Sequence, residues 1–355
     1  MTAVFVSVVL VRFLLPLLIP RYPLPAIIGC LVVDALDQSI FQAFGYDPPG
    51  YQSYDKAMDV FYLAIAYLST LRNWVSNDAF RVSRFLYFYR LVGVVAFELT
   101  QTRALLLIFP NTFEYFFIAY EGVRSRWSTL RLHLTGWLVV AAGIWVFVKL
   151  PQEYWIHVAQ LDVTDTLEDY AWAWPLLIGL LLVLAGVLWF VVRPRTPAPD
   201  WDLRLAADAL PAEMDEAAER TAWHVEHGRV WSTTTLEKVM LVGLLSVIFS
   251  QTLPGTSASN IELFVGTAAF VVVNAALALI AARRSVELES VLLVFAVRIA
   301  INAGLVLVGW VLLGRGDLNV SAALFYVMLL SLLTTLHDRW LPVHAVRHRS
   351  APTPS

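Results

Sequence analysis

The sequence has very little cysteine, lysine or charge of either sign. Cys30 is its only cysteine, which excludes an intramolecular disulfide and any metal site built on paired cysteines. Lysine occurs only at Lys56, Lys149 and Lys238. Charged residues make up 15% of the chain and hydrophobic residues 59%, whereas soluble domains have about 25% and about 45–50%. This composition indicates an integral membrane protein.

Short catalytic motifs are absent as well. No GxSxG, HExxH, phosphate-binding loop or GxGxxG pattern occurs in a suitable context. The basic residues divide between the predicted membrane sides instead of forming one basic face, so we expect no nucleic-acid partner. We also expect no cofactor and no metal. The histidines of the later chain are interpreted as neutral surface residues: His224, His227, His337, His344 and His348.

Long apolar runs dominate the chain and predict an all-α, polytopic helical bundle. A helix needs about 17–25 apolar residues to cross a hydrocarbon core of about 30 Å. Eleven runs qualify: 3–19, 24–44, 57–72, 80–98, 103–120, 134–150, 172–192, 236–253, 261–282, 288–313 and 318–336. The first run has no basic segment before it and no cleavage site after it, so it is predicted to be a span and not a secretory signal.

The loop charges predict an orientation. With the N-terminus outside and the C-terminus inside, all loop Lys and Arg residues lie on the inner side except Lys56, Arg103, Lys149 and Arg315. Inner loops of membrane proteins carry this excess. We therefore expect an N-out, C-in protein in contact with the lipid bilayer, in a bacterial cytoplasmic membrane.

Four regions follow from these runs. Residues 1–192 form an N-terminal membrane bundle of about seven spans, and 236–336 form a C-terminal bundle of about four. Between them, 193–235 is predicted to be a cytoplasmic loop with one or two short helices broken at Pro211. Residues 337–355 are basic and proline-containing, and are predicted to be a disordered tail.

Ionisable residues at membrane depth indicate where function lies, because a charge there costs about 2.5–3.5 kcal/mol unless it finds a partner or water. The hairpin 79–121 holds most of them. Arg90 lies in the middle of its first helix, Glu98 and Arg103 bracket its turn, and Asn111 and Glu114 follow Pro110. A proline there frees a backbone carbonyl, which is tolerated beside a cavity or polar neighbours.

Two other spans add polar residues at the same depth. Asp34 is central in the second span, and Asp37 lies towards the outer side. Arg298 and Asn302 are spaced i, i+4 in the tenth span. We predict a midplane substrate or proton site of Asp34, Arg90, Asn111, Glu114, Arg298 and Asn302, below an outer vestibule of Asp37, Glu98 and Arg103.

Three functions are compatible with this pattern. The first is a transporter or channel-like protein for a small polar or charged solute or ion, which uses the midplane site. The second is a membrane-embedded transferase or hydrolase acting on a lipid-linked substrate, with Asp162, Asp165 or Glu168 of the outer acidic loop as base or metal ligand. The third is a non-catalytic membrane subunit whose inner loop 193–235 docks a partner.

Overall fold

The computed structural model describes residues 2–45, 51–155, 170–251, 259–284, 290–313 and 320–349, and this part of the chain contains helices but no strand. The all-helical prediction is therefore confirmed. The thirteen helices discussed below are α1 Thr2–Leu14, α2 Pro23–Ala43, α3 Tyr51–Asn73, α4 Asn77–Thr100, α5 Ala104–Ile108, α6 Thr112–Arg124, α7 Leu134–Glu153, α8 Ala173–Gly186, α9 Ala217–His227, α10 Thr233–Ser250, α11 Asn260–Arg283, α12 Val291–Leu313 and α13 Val320–Arg349.

Local sequence signals set several helix ends. Pro23 is the first residue of α2, a position at which a backbone N–H would have no partner within the helix, so that its absence loses no hydrogen bond. The Ser76 hydroxyl accepts from Ala79 N at the start of α4, and Ser259 with Glu262 forms a capping box at the start of α11. Gln101 has φ 55° and ends α4, because a left-handed residue stops the helical hydrogen bonds.

Among the described residues, six helices are long and apolar enough to cross a membrane: α2, α7, α10, α11, α12 and α13. Large apolar side chains of α8, including Leu176 and Leu182, are more than 60% exposed, as expected of a lipid-facing surface. The structure thus supports an integral membrane protein. Five of the eleven predicted runs are not among these six helices. The helices of 57–72 and 80–98, α3 and α4, are long but charged, 103–120 is broken, and the apolar helices of 3–19 and 172–192 are shorter.

The charged helix α3 lies in the centre of the bundle. Every residue from 60 to 71 is buried, and α3 packs against α1, α2, α4, α6, α10 and α13. A helix surrounded by protein needs no uniformly apolar surface, since its polar side chains can face neighbouring helices. This position explains why α3 can carry Asp55 and Asp59 near its N-terminal end.

The segments predicted to lie on the inner side meet at one end of the bundle. Residues 197–209, here called the inner segment, run across this end. Asp200 N donates to Arg126 O at 2.9 Å, and Ala207 N donates to Arg21 O at 2.8 Å. The Arg347 guanidinium donates to Ala209 O at 2.8 Å. Loops far apart in sequence are therefore held together by the inner segment.

The last helix differs from its prediction. α13 continues to Arg349, so the predicted disorder is wrong for residues 337–349. His337 is fully buried, which also corrects its interpretation as a surface histidine. The physical reason is that Val343 and Val346 pack with Met214, so the basic end of the chain covers an apolar patch and is not left in solvent.

Candidate functional site

One arginine of the first helix binds four aspartates. Arg12 of α1 donates to Asp34 and Asp37 of α2, and it donates to Asp55 and Asp59 of α3 at 2.9 Å each. We call these five residues the Arg12 cluster. Its members lie at i, i+3 on α2 and at i, i+4 on α3, so each pair shares one helix face.

Burial is uneven within the Arg12 cluster. The side chains of Arg12 and Asp37 are 3% and 0% exposed, whereas those of Asp34, Asp55 and Asp59 are 23%, 30% and 19% exposed. The cluster can therefore be reached from outside the bundle on one side.

Aromatic rings lie beside the Arg12 cluster. The Arg12 guanidinium carbon lies 5.6 Å from the Tyr54 ring centroid. The Phe5 ring packs at a tilt against two other rings. Its centroid lies 5.7 Å from that of Phe41 and 5.8 Å from that of Tyr54. A guanidinium gains from an aromatic face at this distance, more so where water is excluded.

The charges of the Arg12 cluster do not balance. One guanidinium binds four carboxylates, so the cluster carries an excess of negative charge, and mutual repulsion favours protonation of some of these carboxylates. Carboxylate oxygens of Asp34, Asp55 and Asp59 lie within 4.8 Å of one another, which is close enough for a cation to join them. Protons on the carboxylates or an additional cation would offset this excess.

The hairpin that the sequence singled out contains a broken helix. α5 ends at Ile108 and α6 begins at Thr112, with Pro110 between them. Arg90 donates to the carbonyl oxygen of Phe109 at 3.0 Å, and Tyr89 donates to that of Ile108 at 2.8 Å. Two side chains of α4 thus bind carbonyls left without helical partners by the break.

Close packing of α4 against the break depends on a glycine. A Cβ at Gly93 would lie 2.1 Å from the Phe109 Cβ, which is far inside van der Waals contact. Gly93 lies one turn from Arg90, so the missing side chain lets the Phe109 backbone approach the Arg90 guanidinium.

Glu114 lies in the first turn after the break and is fully enclosed. Tyr62 donates to Glu114 Oε1 at 2.5 Å, and Asn111 Nδ2 donates to Oε2 at 2.8 Å. Tyr62 lies one turn after Asp59 on α3, so this helix joins the Arg12 cluster to the break. Nearby, Lys149 pairs with Glu153 at 3.2 Å, and both side chains are buried.

Several polar atoms at the break lack partners. Within the described part of the chain, Asn111 Oδ1, Thr112 Oγ1 and Arg90 Nε are buried without a hydrogen bond. Such groups are costly to bury and usually find a partner. Asn111 Oδ1 accepts, Arg90 Nε donates and the Thr112 hydroxyl can do either, so a small polar molecule with both donors and acceptors fits this place.

A comparison with protein-family models, curated proteins and solved structures finds no match.

The predicted midplane residues divide between two places. Asp34, Arg90, Asn111 and Glu114 lie in the Arg12 cluster or at the break. Arg298 instead bonds Asp338 of α13 at 2.5 Å, and Asp338 also binds Lys238 of α10 at 2.7 Å. We call Lys238, Arg298 and Asp338 the Asp338 cluster.

Asn302 belongs to a chain of amide and hydroxyl contacts. Asn274 of α11 donates to Asn302 Oδ1 at 2.6 Å, and Asn302 donates to Ser331 Oγ of α13 at 2.9 Å. These bonds join three helices, which is a common use of polar residues in membranes.

The predicted vestibule residues do not lie together either. Asp37 is fully buried against Arg12, and Glu98 is buried near Lys56, whose ammonium lies 4.8 Å from the Phe97 ring centroid. Arg103 is exposed at the start of α5. The acidic loop residues Asp162, Asp165 and Glu168 lie outside the described residues.

Sequence reasoning missed the centre of the site. Arg12, Asp55, Asp59 and Asp338 were not proposed as functional residues. The available signal was the i, i+4 spacing of Asp55 and Asp59 at the start of an apolar run, together with an arginine inside the first run.

Proposed function

We propose that this chain is a proton-coupled transporter for a small polar solute. The observation that carries the proposal is the Arg12 cluster, in which four carboxylates from two helices surround one guanidinium. Clustered carboxylates at membrane depth often bind and release protons in pumps and transporters.

The position of Arg12 favours protons over a metal ion. The guanidinium already binds Asp34, Asp55 and Asp59, the three carboxylates that a hard cation would use. A divalent cation among them would lie beside a fixed positive charge. A proton adds no such repulsion, since it neutralises one carboxylate oxygen without displacing the arginine.

The broken helix supplies a place for the solute. Discontinuous helices line substrate sites in many transporters, because the break leaves backbone and side-chain groups free to bind. Here the unpartnered Asn111 Oδ1 and Thr112 Oγ1 lie next to Glu114. Since Tyr62 and Asp59 are one turn apart on α3, protonation of the Arg12 cluster can change the hydrogen bonding of Glu114.

The proposed placement is a bacterial cytoplasmic membrane with the N-terminus outside, the C-terminus inside and about eleven crossings. The inner segment supports the assignment of sides, because it collects the Arg-rich loops at one end. In this orientation the Arg12 cluster faces the outer half of the membrane and the Asp338 cluster faces the inner half.

The test uses the purified full-length chain in proteoliposomes that enclose a pH-sensitive dye. A panel of small amines, polyols and amino acids is first screened for an increase in the unfolding midpoint. We expect a stabilising solute to enter the vesicles together with protons. Asp59→Asn should uncouple solute entry from proton entry, and Glu114→Gln should weaken solute binding about tenfold, as expected for one lost charged hydrogen bond.

Asp202→Asn is the matched control, because Asp202 is an exposed carboxylate of the inner segment. A solute that stabilises the wild type, Asp59→Asn and Glu114→Gln equally would remove both residues from the site. Solute entry into wild-type vesicles without any proton movement would refute the coupling. Stabilisation by Ca²⁺ or Mn²⁺ that disappears in Asp59→Asn would replace the proton by a metal ion.

A further inference from the structure

A cavity of about 210 Å³ lies between α9, α11, α12 and α13. Its polar wall consists of Arg220, Thr221, His224, Asn274, Arg298, Thr335, Asp338 and Arg339. Its other wall is apolar and is formed by α11 and α12, with Leu277, Val294 and Val297 among its residues. The presence of α9, which belongs to the 193–235 loop, places the cavity towards the inner end.

The charge of the polar wall is strongly positive. Arg220, Arg298 and Arg339 line the cavity, and the acid among its lining residues is Asp338. That carboxylate is already shared by Lys238 and Arg298. Arg220 and Arg339 are also close enough to repel each other.

His224 adds no charge to this wall. Burial lowers the pKa of His224, although Asp338 opposes the shift. Its Nε2 lies 3.0 Å from the Asp338 carbonyl oxygen, so the neutral ring can donate there. The surplus of positive charge therefore comes from the arginines alone.

Two buried polar atoms in the wall lack partners. Arg298 and Thr335 are 9% and 2% exposed. Within the described residues, Arg298 Nη1 and Thr335 Oγ1 make no hydrogen bond. A guanidinium nitrogen without an acceptor is a costly group to bury, so this wall lacks an anionic or carbonyl acceptor.

We infer that this cavity binds a phosphate-bearing anion between Arg220, Arg298 and Arg339, with Thr335 as an additional donor. One guanidinium group can bind two oxygens of a phosphate through two parallel hydrogen bonds, and a wall with several arginines offers several such groups. The cavity is smaller than the range of about 300–1,000 Å³ typical of drug-sized ligands. It fits one phosphate group and not a nucleotide.

The phosphate group could come from two sources with the same chemistry. The apolar wall on α11 and α12 is continuous with lipid-facing helices, since only 17% and 11% of their spans are buried. A phospholipid headgroup could therefore occupy the cavity with its acyl chains along that wall, as basic pockets between membrane helices allow. A soluble phosphate compound could enter from the inner side.

The test places the full-length chain in nanodiscs of zwitterionic phosphatidylcholine. One arm adds inorganic phosphate, and the other arm replaces part of the lipid with phosphatidylglycerol. The unfolding midpoint reports binding in both arms, and native mass spectrometry reports retained phosphatidylglycerol. We expect an increase in the midpoint in at least one arm, with an apparent affinity about tenfold weaker in Arg298→Gln and in Arg339→Gln.

Arg81→Gln is the matched control, since Arg81 is an exposed arginine predicted to lie on the same side. Arg298→Gln leaves Asp338 paired with Lys238, and Arg339→Gln leaves the whole Asp338 cluster intact, so that folded proteins lacking one or the other arginine are tested. Binding of phosphatidylglycerol alone identifies a lipid headgroup, and binding of inorganic phosphate alone identifies a soluble anion. Failure of both to bind the wild type, or equal weakening by Arg81→Gln, would overturn the inference.

Discussion

The Arg12 cluster and the Asp338 cluster are opposite in charge. In the first, one arginine holds four aspartates. In the second, one aspartate holds a lysine and an arginine beside a wall with two more arginines. In each case a single residue of the minority sign organises the others. We propose that protons offset the excess in the first region and that an anion offsets it in the second.

The two regions also differ in what lies beside their charged side chains. In the Arg12 cluster, the guanidinium lies among the carboxylates and aromatic rings lie beside it. Beside the Asp338 cluster there is a cavity of about 210 Å³. A proton needs no cavity, whereas a phosphate group does. The cavity beside the Asp338 cluster thus supports an anion as the ligand of that region.

Removal of the single positive charge of the Arg12 cluster should cause the largest loss of stability. Arg12→Gln leaves four carboxylates without a cation, and removal of one partner from a buried ion pair costs about 3–5 kcal/mol. We expect a strongly lowered unfolding midpoint for the detergent-solubilised protein. Arg12→Gln/Asp37→Asn should recover part of the loss, because Asp37 is the most buried of the four carboxylates.

Asp55→Asn is the control for this prediction. It removes one of the surplus carboxylates, so we expect an unchanged or slightly raised midpoint. A destabilised Asp55→Asn together with an unaffected Arg12→Gln would contradict the comparison, since the arginine would then not be the organising charge.

Removal of the single negative charge of the Asp338 cluster should cause a smaller loss of stability. Asp338→Asn leaves Lys238 and Arg298 without their shared carboxylate. We expect a loss on the order of 2 kcal/mol, below that of Arg12→Gln, because the adjacent cavity gives water access to the charges. Unfolding curves of Asp338→Asn and Lys238→Gln measured side by side test this. A larger loss of stability in Lys238→Gln than in Asp338→Asn would show that Asp338 is not the charge that organises this cluster.

The smallest expected effect is a pH dependence at His224. Burial lowers the pKa of His224 in the folded state, so the unfolded chain takes up a proton more readily as pH falls through the ordinary histidine range. The folded state should therefore lose stability at this residue between about pH 7.5 and about pH 5.5. Since His224→Gln lacks this titration, the midpoint of the wild type minus that of the variant should decrease over the same interval.

The expected direction of this pH dependence follows from the burial of His224 and from the charges around it. Lys238 and Arg298 disfavour its protonated form, and Asp338 favours it. A wild-type-minus-variant difference that grows as pH falls would mean that Asp338 outweighs burial and the two cations. The cavity wall would then be more positive in acid than at neutral pH.

Sequence patterns predicted the helices well because apolar runs determine them directly. Ten of the eleven runs correspond to one described helix each, and the exception, 103–120, is divided by Pro110 into α5 and α6. The same patterns predicted Asp34, Arg90, Asn111 and Glu114, which lie at or beside the proposed site. They did not predict Asp55, which precedes the third apolar run, because hydropathy gives no information on which helix is enclosed by the others.

Taken alone, the sequence determined the helical class, the membrane setting and the presence of costly charges within apolar runs. These depend on composition and on spacing along one helix, which are local properties. The tertiary structure decided the partners: Arg12 joins Asp34 and Asp59, whereas Arg298 joins Asp338. An ion pair needs its nitrogen and oxygen atoms within about 4 Å of each other, so only the packing of distant helices fixes which charges meet.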